Sequence, residues 1–89
     1  FIPTDGQVRM LSGVYRMPAI VGRVRGVFTH TAPVDAYRGA GRPEAAYLLE
    51  RLVDHAAREI GMDPAELRRR NMVPPDAMPY RTAIERVYD

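Results

Sequence analysis

Between Pro43 and Gly61 apolar residues recur every three or four positions, and this periodicity constrains the chain more than any other feature it carries. Ala45, Ala46, Leu48, Leu49, Leu52, Val53, Ala56, Ala57 and Ile60 form the apolar set, and Glu50, Arg51, Asp54, Arg58 and Glu59 lie between them. Pro43 suits the first helical position, where its missing N–H costs nothing, and Gly61 suits a left-handed C-terminal cap, so a helix is expected over about 43–60. Asp63-Pro64-Ala65-Glu66 then pairs an N-cap Asp with a Glu three residues on, the pattern of a capping box, and predicts a shorter helix over about 64–71. A link as short as Gly61-Met62 forces the two helices to be neighbours, in a helical hairpin or corner. Leu48, Leu49, Leu52, Val53, Ala56, Ile60 and Leu67 are expected to be its packed face.

That face needs a cover, and only the N-terminal third can supply one internally. Turn signals at Pro3, Asp5-Gly6 and Ser12-Gly13 break the first seventeen residues into short apolar pieces, Val8 to Leu11 and Val14-Tyr15, read as short weak strands. From Ala19 to Thr31 a β-branched run interleaved with Arg23 and Arg25 suits a strand that Gly22 and Gly26 would weaken or bulge. From Val73 onward Pro74, Pro75 and Pro79 predict an irregular stretch, with regular structure only within about 82–87. The class is therefore α+β. The 89 residues form one small domain with a marginal core, since so short a chain leaves much apolar surface exposed. A hydrophobic content of 46% against 27% charged residues argues against wholesale disorder. The opening Phe1-Ile2-Pro3 and the mid-pattern close at Tyr88-Asp89 read as the bounds of a segment excised from a longer protein.

Several function classes are excluded within these residues. No Cys is present, which removes disulfides, thiolate metal sites and Cys nucleophiles. All thirteen basic residues are Arg, the net charge is only +2, and the Arg are spread along the chain rather than gathered on one face between aromatics, so nucleic acid is not an expected partner. No apolar run approaches the ~20 residues of a membrane span, and no basic segment followed by an apolar core opens the chain. No Walker loop, zinc spacing or nucleophile triad can be assembled, and Gly39-Ala40-Gly41 is too short for a dinucleotide fingerprint. His30 at a strand end and His55 on a helix flank read as structural.

What remains is Asp35 to Glu44, a Gly-bearing loop that feeds a helix N-terminus. Free N–H groups, the helix dipole and glycines that let a ligand approach the backbone favour an oxyanion there, and Arg38 and Arg42 could add charge-assisted bonds. The plainer reading is a connecting loop whose glycines relieve strain and whose Arg side chains are solvated. The loop is expected to be irregular and largely exposed over 35–42.

Ala36-Tyr37-Arg38-Gly39-Ala40-Gly41-Arg42-Pro43-Glu44, with Ala45 to Arg51 after it, resembles the cofactor-facing loop and helix of the large subunit of molybdenum hydroxylases, the superfamily of xanthine dehydrogenase, aldehyde oxidase and aerobic carbon monoxide dehydrogenase. Thr29 to Asp35 is similar to the approach to that loop, Glu59 to Asn71 to the helix pair that follows, and Pro79-Tyr80-Arg81-Thr82 and Tyr88-Asp89 also fit. The likeness runs from about Tyr15 to Asp89, with the motifs in order and at the right spacing, and is nearest the carbon monoxide dehydrogenase-like branch.

The resemblance implies a parent that binds a molybdenum–pterin cofactor, hydroxylates its substrate with oxygen from water and passes electrons to iron–sulfur and FAD subunits or domains. Arg38 and Gly39 would then face the cofactor and Ala40 would line the substrate, with no catalytic residue and no direct metal ligand in this segment. In xanthine-type members an aromatic residue occupies the position of Ala40 and packs on the substrate ring; in true aerobic carbon monoxide dehydrogenases a Cys at the position of Gly39 bridges copper to molybdenum. Neither is present, so the implied chemistry is oxidation of an aldehyde or heteroaromatic compound. Glu44 is not the family's base, and its expected role is first-turn stabilisation through the helix dipole. The implied location is cytoplasmic, with any membrane association running through partners. The isolated segment is expected to be inactive and to bind no cofactor, because the remaining cofactor-binding segments of the parent are needed to complete the pocket. The alternative is a stand-alone helical module that binds a partner protein through the stripe from Ala45 to Ile60.

Overall fold

The computed structural model describes residues 2–89. In chain order it contains α1 (Ile2–Arg9), α2 (Arg42–Ile60), α3 (Pro64–Asn71), a 3-10 turn (Pro75–Ala77), β1 (Tyr80–Arg81) and β2 (Val87–Tyr88). The α+β class is therefore observed, with the two predicted helices in place.

Their ends follow the signals in the sequence. Gly61 takes φ 70°, its N–H donates to the Arg58 carbonyl, and the Met62 N–H donates to Ala57 at 2.9 Å, the paired bonds of a Schellman-type close. Asp63 Oδ2 accepts from the Glu66 N–H at 3.0 Å and caps α3. The reciprocal half of the capping box is not made: the Glu66 carboxylate is taken by Arg70 at 2.8 Å and by Arg69 one turn on. Two guanidinium groups within reach outcompete one backbone N–H for a carboxylate.

The N-terminal third corrects the expectation of strands. Ile2–Arg9 is helical, with Asp5 and Arg9 paired at 2.7 Å across one turn. Gly6, which reads as a turn signal, is buried inside that helix, and a Cβ there would run into the Ala40 carbonyl. It is a close-packing glycine that brings α1 against the loop preceding α2. Residues 19–31 form no strand, and Val21, Val27 and Phe28 are fully or largely exposed. The β-branched composition is real, but a strand needs a ladder partner, and the described residues offer it none. Among the described residues the only pairing in this third is a single bridge, Tyr15 opposite Met72, flanked by Arg16 N–H to Asn71 O at 2.8 Å and Val73 N–H to Val14 O at 3.0 Å.

The regular strands lie instead in the C-terminal stretch expected to be irregular. β1 and β2 pair antiparallel, Tyr80 with Tyr88 and Arg81 with Val87. Buried Thr82 closes the hairpin: its N–H donates to Arg86 O at 2.7 Å and its hydroxyl accepts from the Arg86 N–H at 3.0 Å. Pro79 stands just before the first strand, where it removes no ladder bond.

The core is small, and its membership also differs from the expectation. Tyr15, Ala45, Leu49, Ala57 and Val73 are buried. Val53, Ala56 and Leu67 are half-buried, but Leu48, Leu52 and Ile60 remain 52%, 60% and 62% exposed. Ala45, Leu49, Val53 and Ala57 are a row spaced by four, which is the ridge a helix presents to short neighbours packed along one side. The short α1 and α3 cover that ridge and leave the adjacent row bare.

Candidate functional site

The turn from Arg38 to Gly41 is built from three successive residues with left-handed backbone: Gly39 at φ 99°, Ala40 at φ 49° and Gly41 at φ 93°. Its hydrogen bonds are local. The Ala40 N–H donates to Tyr37 O at 2.9 Å, the Arg42 N–H to Gly39 O at 3.1 Å, and the Ala45 N–H to Gly41 O at 3.0 Å, which carries the chain into α2 without a side-chain cap. The helix starts one residue before Pro43, and the irregular, exposed loop expected over 35–42 is found over 35–39 only: Ala40 is half-buried, Gly41 is buried against α1, and Arg42 already belongs to α2.

The two glycines do different things. Gly41 is buried against α1; a Cβ on it would overlap the Pro3 carbonyl and come within 2.8 Å of the Gln7 nitrogen. Gly39 is exposed, and its constraint is internal: a Cβ there would lie 2.7 Å from the Pro43 ring. The turn is thus pinned from below by α1, an element that turn and strand signals concealed, and open on the side that carries Arg38 and Gly39. Arg38 is exposed with its guanidinium carbon 5.7 Å from the Tyr37 ring centroid, and it takes part in no ion pair among the described residues. Ala40 is half-buried. Arg42 Nη1 donates back to Gly39 O at 3.1 Å.

A second cluster, which sequence reasoning missed, anchors this scaffold. Glu50 on α2 accepts from the Tyr15 hydroxyl at 2.9 Å and from Arg68 Nε at 2.7 Å, while Arg68 Nη1 reaches Asp54 at 2.8 Å. Burial and the nearby Glu50 carboxylate push the Tyr15 phenol above its ordinary range. Bonds to Glu50 and then to Asp54 hold the Arg68 guanidinium still more firmly protonated. The usable signal was the spacing of Glu50 and Asp54, one turn apart beside the apolar stripe. His30 and His55 are exposed, and no group of three metal-ligating side chains exists among the described residues. Among those residues no helix is long and apolar enough to cross a membrane.

Comparison with known proteins places the sequence in a family. A model described as molybdopterin cofactor-binding domain matches residues 2–72. The chain is 39% identical over 86 residues to the gamma subunit of the 6-hydroxypseudooxynicotine dehydrogenase complex of Paenarthrobacter nicotinovorans, covering 97% of this chain and 11% of that protein. It is 41% identical over 86 residues to the carbon monoxide dehydrogenase large chain of Hydrogenophaga pseudoflava, with 94% and 11% covered. It is 41% identical over 61 residues to the aldehyde oxidoreductase of Megalodesulfovibrio gigas, with 68% and 7% covered. The chain thus spans about a tenth of the length of the first two. No solved structure matches it. A family match over residues 2–72, containing both the pinned turn and the helix pair, establishes that the chain belongs to the molybdopterin cofactor-binding domain family of molybdenum hydroxylase large subunits.

Proposed function

We propose that this chain is one segment of the cofactor-binding domain of a longer molybdenum-dependent oxidoreductase, and that its Arg38–Gly41 turn forms one wall of the cofactor cleft. The observation that carries this reading is the asymmetry of the turn: α1 clamps Gly41 and Ala40 from one side, while Arg38 and Gly39 stand open on the other. These residues suit a large anionic cofactor, because Arg38 is uncommitted to any carboxylate and Gly39 presents backbone without a side chain in the way. In this reading Arg38 and Gly39 bind the molybdenum–pterin cofactor and Ala40 lines the substrate space. The cofactor, when bound, supplies the redox chemistry. The chain supplies a fixed positive charge, a backbone surface and a rigid support, and the small Ala40 leaves room for an aldehyde or heteroaromatic substrate.

The other cofactor-binding segments of the same large subunit are the natural cover for the exposed row of Leu48, Leu52 and Ile60 and for residues 19–31. Iron–sulfur and FAD subunits or domains accept the electrons. Family membership disfavours the stand-alone interaction module, which would use the same exposed row for a separate partner protein.

The direct experiment is Arg38→Ala in the full-length protein, with turnover, molybdenum content and melting temperature read side by side. Turnover falls at least tenfold while melting changes little, since an exposed loop Arg supports few core contacts. A loss of fold proportional to the loss of activity would mean that Arg38 is structural.

A further inference from the structure

A second cationic site lies on the clamped side of the turn, in a cavity of about 270 Å³ that Arg38 does not line. Three arginines from separate stretches of the chain line it: Arg9 from the last turn of α1, Arg42 from the first turn of α2 and Arg86 from the loop between the two strands. Asp5 is the one acidic side chain on its wall, and Ile2, Met10 and Val87 supply apolar lining. Three guanidinium groups against one carboxylate leave two positive charges in excess, and Asp5 is already committed to Arg9 through Nε at 2.7 Å. No ion pair among the described residues engages Arg42 or Arg86. Arg42 also sits where a cation is least welcome, at the positive end of the α2 dipole. Its one side-chain bond, to the Gly39 carbonyl, uses a single N–H of the five a guanidinium offers.

We propose that Arg9, Arg42 and Arg86 form a receptor for a phosphate-type dianion, distinct from the surface presented by Arg38. A doubly charged tetrahedral oxyanion matches the excess charge, accepts several N–H bonds at once from planar guanidinium forks, and removes the unfavourable field at the start of α2. The cavity joins α1, the turn and the terminal hairpin, so a bound dianion ties the ends of the segment to the turn from beneath. This inference goes beyond the cofactor reading and does not depend on it.

The test is titration of the full-length protein with inorganic phosphate, read by calorimetry and by hydrogen–deuterium exchange of peptides covering 2–10 and 82–88. Phosphate slows exchange in both peptides of the wild type, with an affinity that weakens as chloride is raised. Arg42→Ala combined with Arg86→Ala lowers that affinity at least tenfold and abolishes the local protection. Arg86→Lys keeps the charge and the fold but loses the fork, and gives an intermediate affinity. An isotherm and exchange pattern unchanged by both variants would overturn the proposal. So would peptides already fully protected without phosphate and deprotected by Arg86→Ala, because another segment's acidic side chain would then fill the cavity.

Discussion

Arg68 holds Glu50 across the corner between the second and third helices, Nε to Oε2 at 2.7 Å, with 21% of the Arg side chain and 42% of the Glu side chain exposed. The same guanidinium reaches Asp54 and, through Nη2, the Glu50 carbonyl at 3.1 Å. Tyr15 also donates to the Glu50 carboxylate, at 2.9 Å. One carboxylate therefore joins three stretches of chain that meet only by folding.

Removing the Tyr15 hydroxyl tests the smaller part of this junction. Tyr15→Phe keeps the buried ring and deletes one part-buried hydrogen bond, which costs about 1 kcal/mol. Arg68→Met costs more, because it strands both Glu50 and Asp54 without a counter-charge and drops the bond to the Glu50 carbonyl. Denaturant unfolding of the two variants gives this order, and the double variant loses less than the sum, since both act on Glu50.

Alkaline stability reports the same junction. The folded-state pKa of Tyr15 is raised above its ordinary 10.0, by burial first and then by the hydrogen bond to Glu50. The folded protein thus holds the phenol proton more tightly than the unfolded chain does. The contribution is fully present below about pH 10 and is lost as pH rises through the folded pKa. Unfolding midpoints of the wild type therefore fall above pH 10 more steeply than those of Tyr15→Phe.

Gly41 and Gly61 both have positive φ, at 93° and 70°, yet only Gly41 faces a neighbour. Gly61→Ala meets open space and costs about 1 kcal/mol for its left-handed backbone. Gly41→Ala adds a collision with the Pro3 carbonyl and so costs more than Gly61→Ala, by roughly 1–3 kcal/mol. Circular dichroism melts separate the two. Equal losses would show that α1 does not clamp the turn.

Pro43, Gly61 and Asp63 act through their own backbone or nearest neighbours, so the ends of α2 and α3 were legible locally. α1 was not, because Pro3 and Gly6 carry turn signals and the helix gains its place by close approach to Ala40 and Gly41, far along the chain. The strand expected over 19–31 failed for the converse reason: its composition is suitable, but pairing is a property of two segments. At the turn, the exposure of residues 35–39 was legible, while the cavity that Arg42 lines with Arg9 and Arg86 depended on the hairpin at the far end.

Metal content is the sharpest test of Gly39. The resemblance to carbon monoxide dehydrogenase large chains implies a Cys at that position for copper chemistry, and a glycine offers no thiolate to soft Cu(I). The backbone reinforces the difference: Gly39 sits at φ 99° with the Pro43 ring 2.7 Å from where a Cβ would be, so a Cys could enter only if the turn rearranged. The full-length protein is therefore expected to hold molybdenum without stoichiometric copper and to oxidise aldehydes or heteroaromatics rather than carbon monoxide. The isolated 89-residue chain is expected to hold neither metal, because a single Arg and a few backbone groups make a wall and not a pocket. Elemental analysis by mass spectrometry and dye-reduction assays on both forms decide this. Equimolar copper with carbon monoxide turnover in the full-length protein would refute the role given to Gly39, and stoichiometric molybdenum in the isolated chain would refute the division of the pocket among segments.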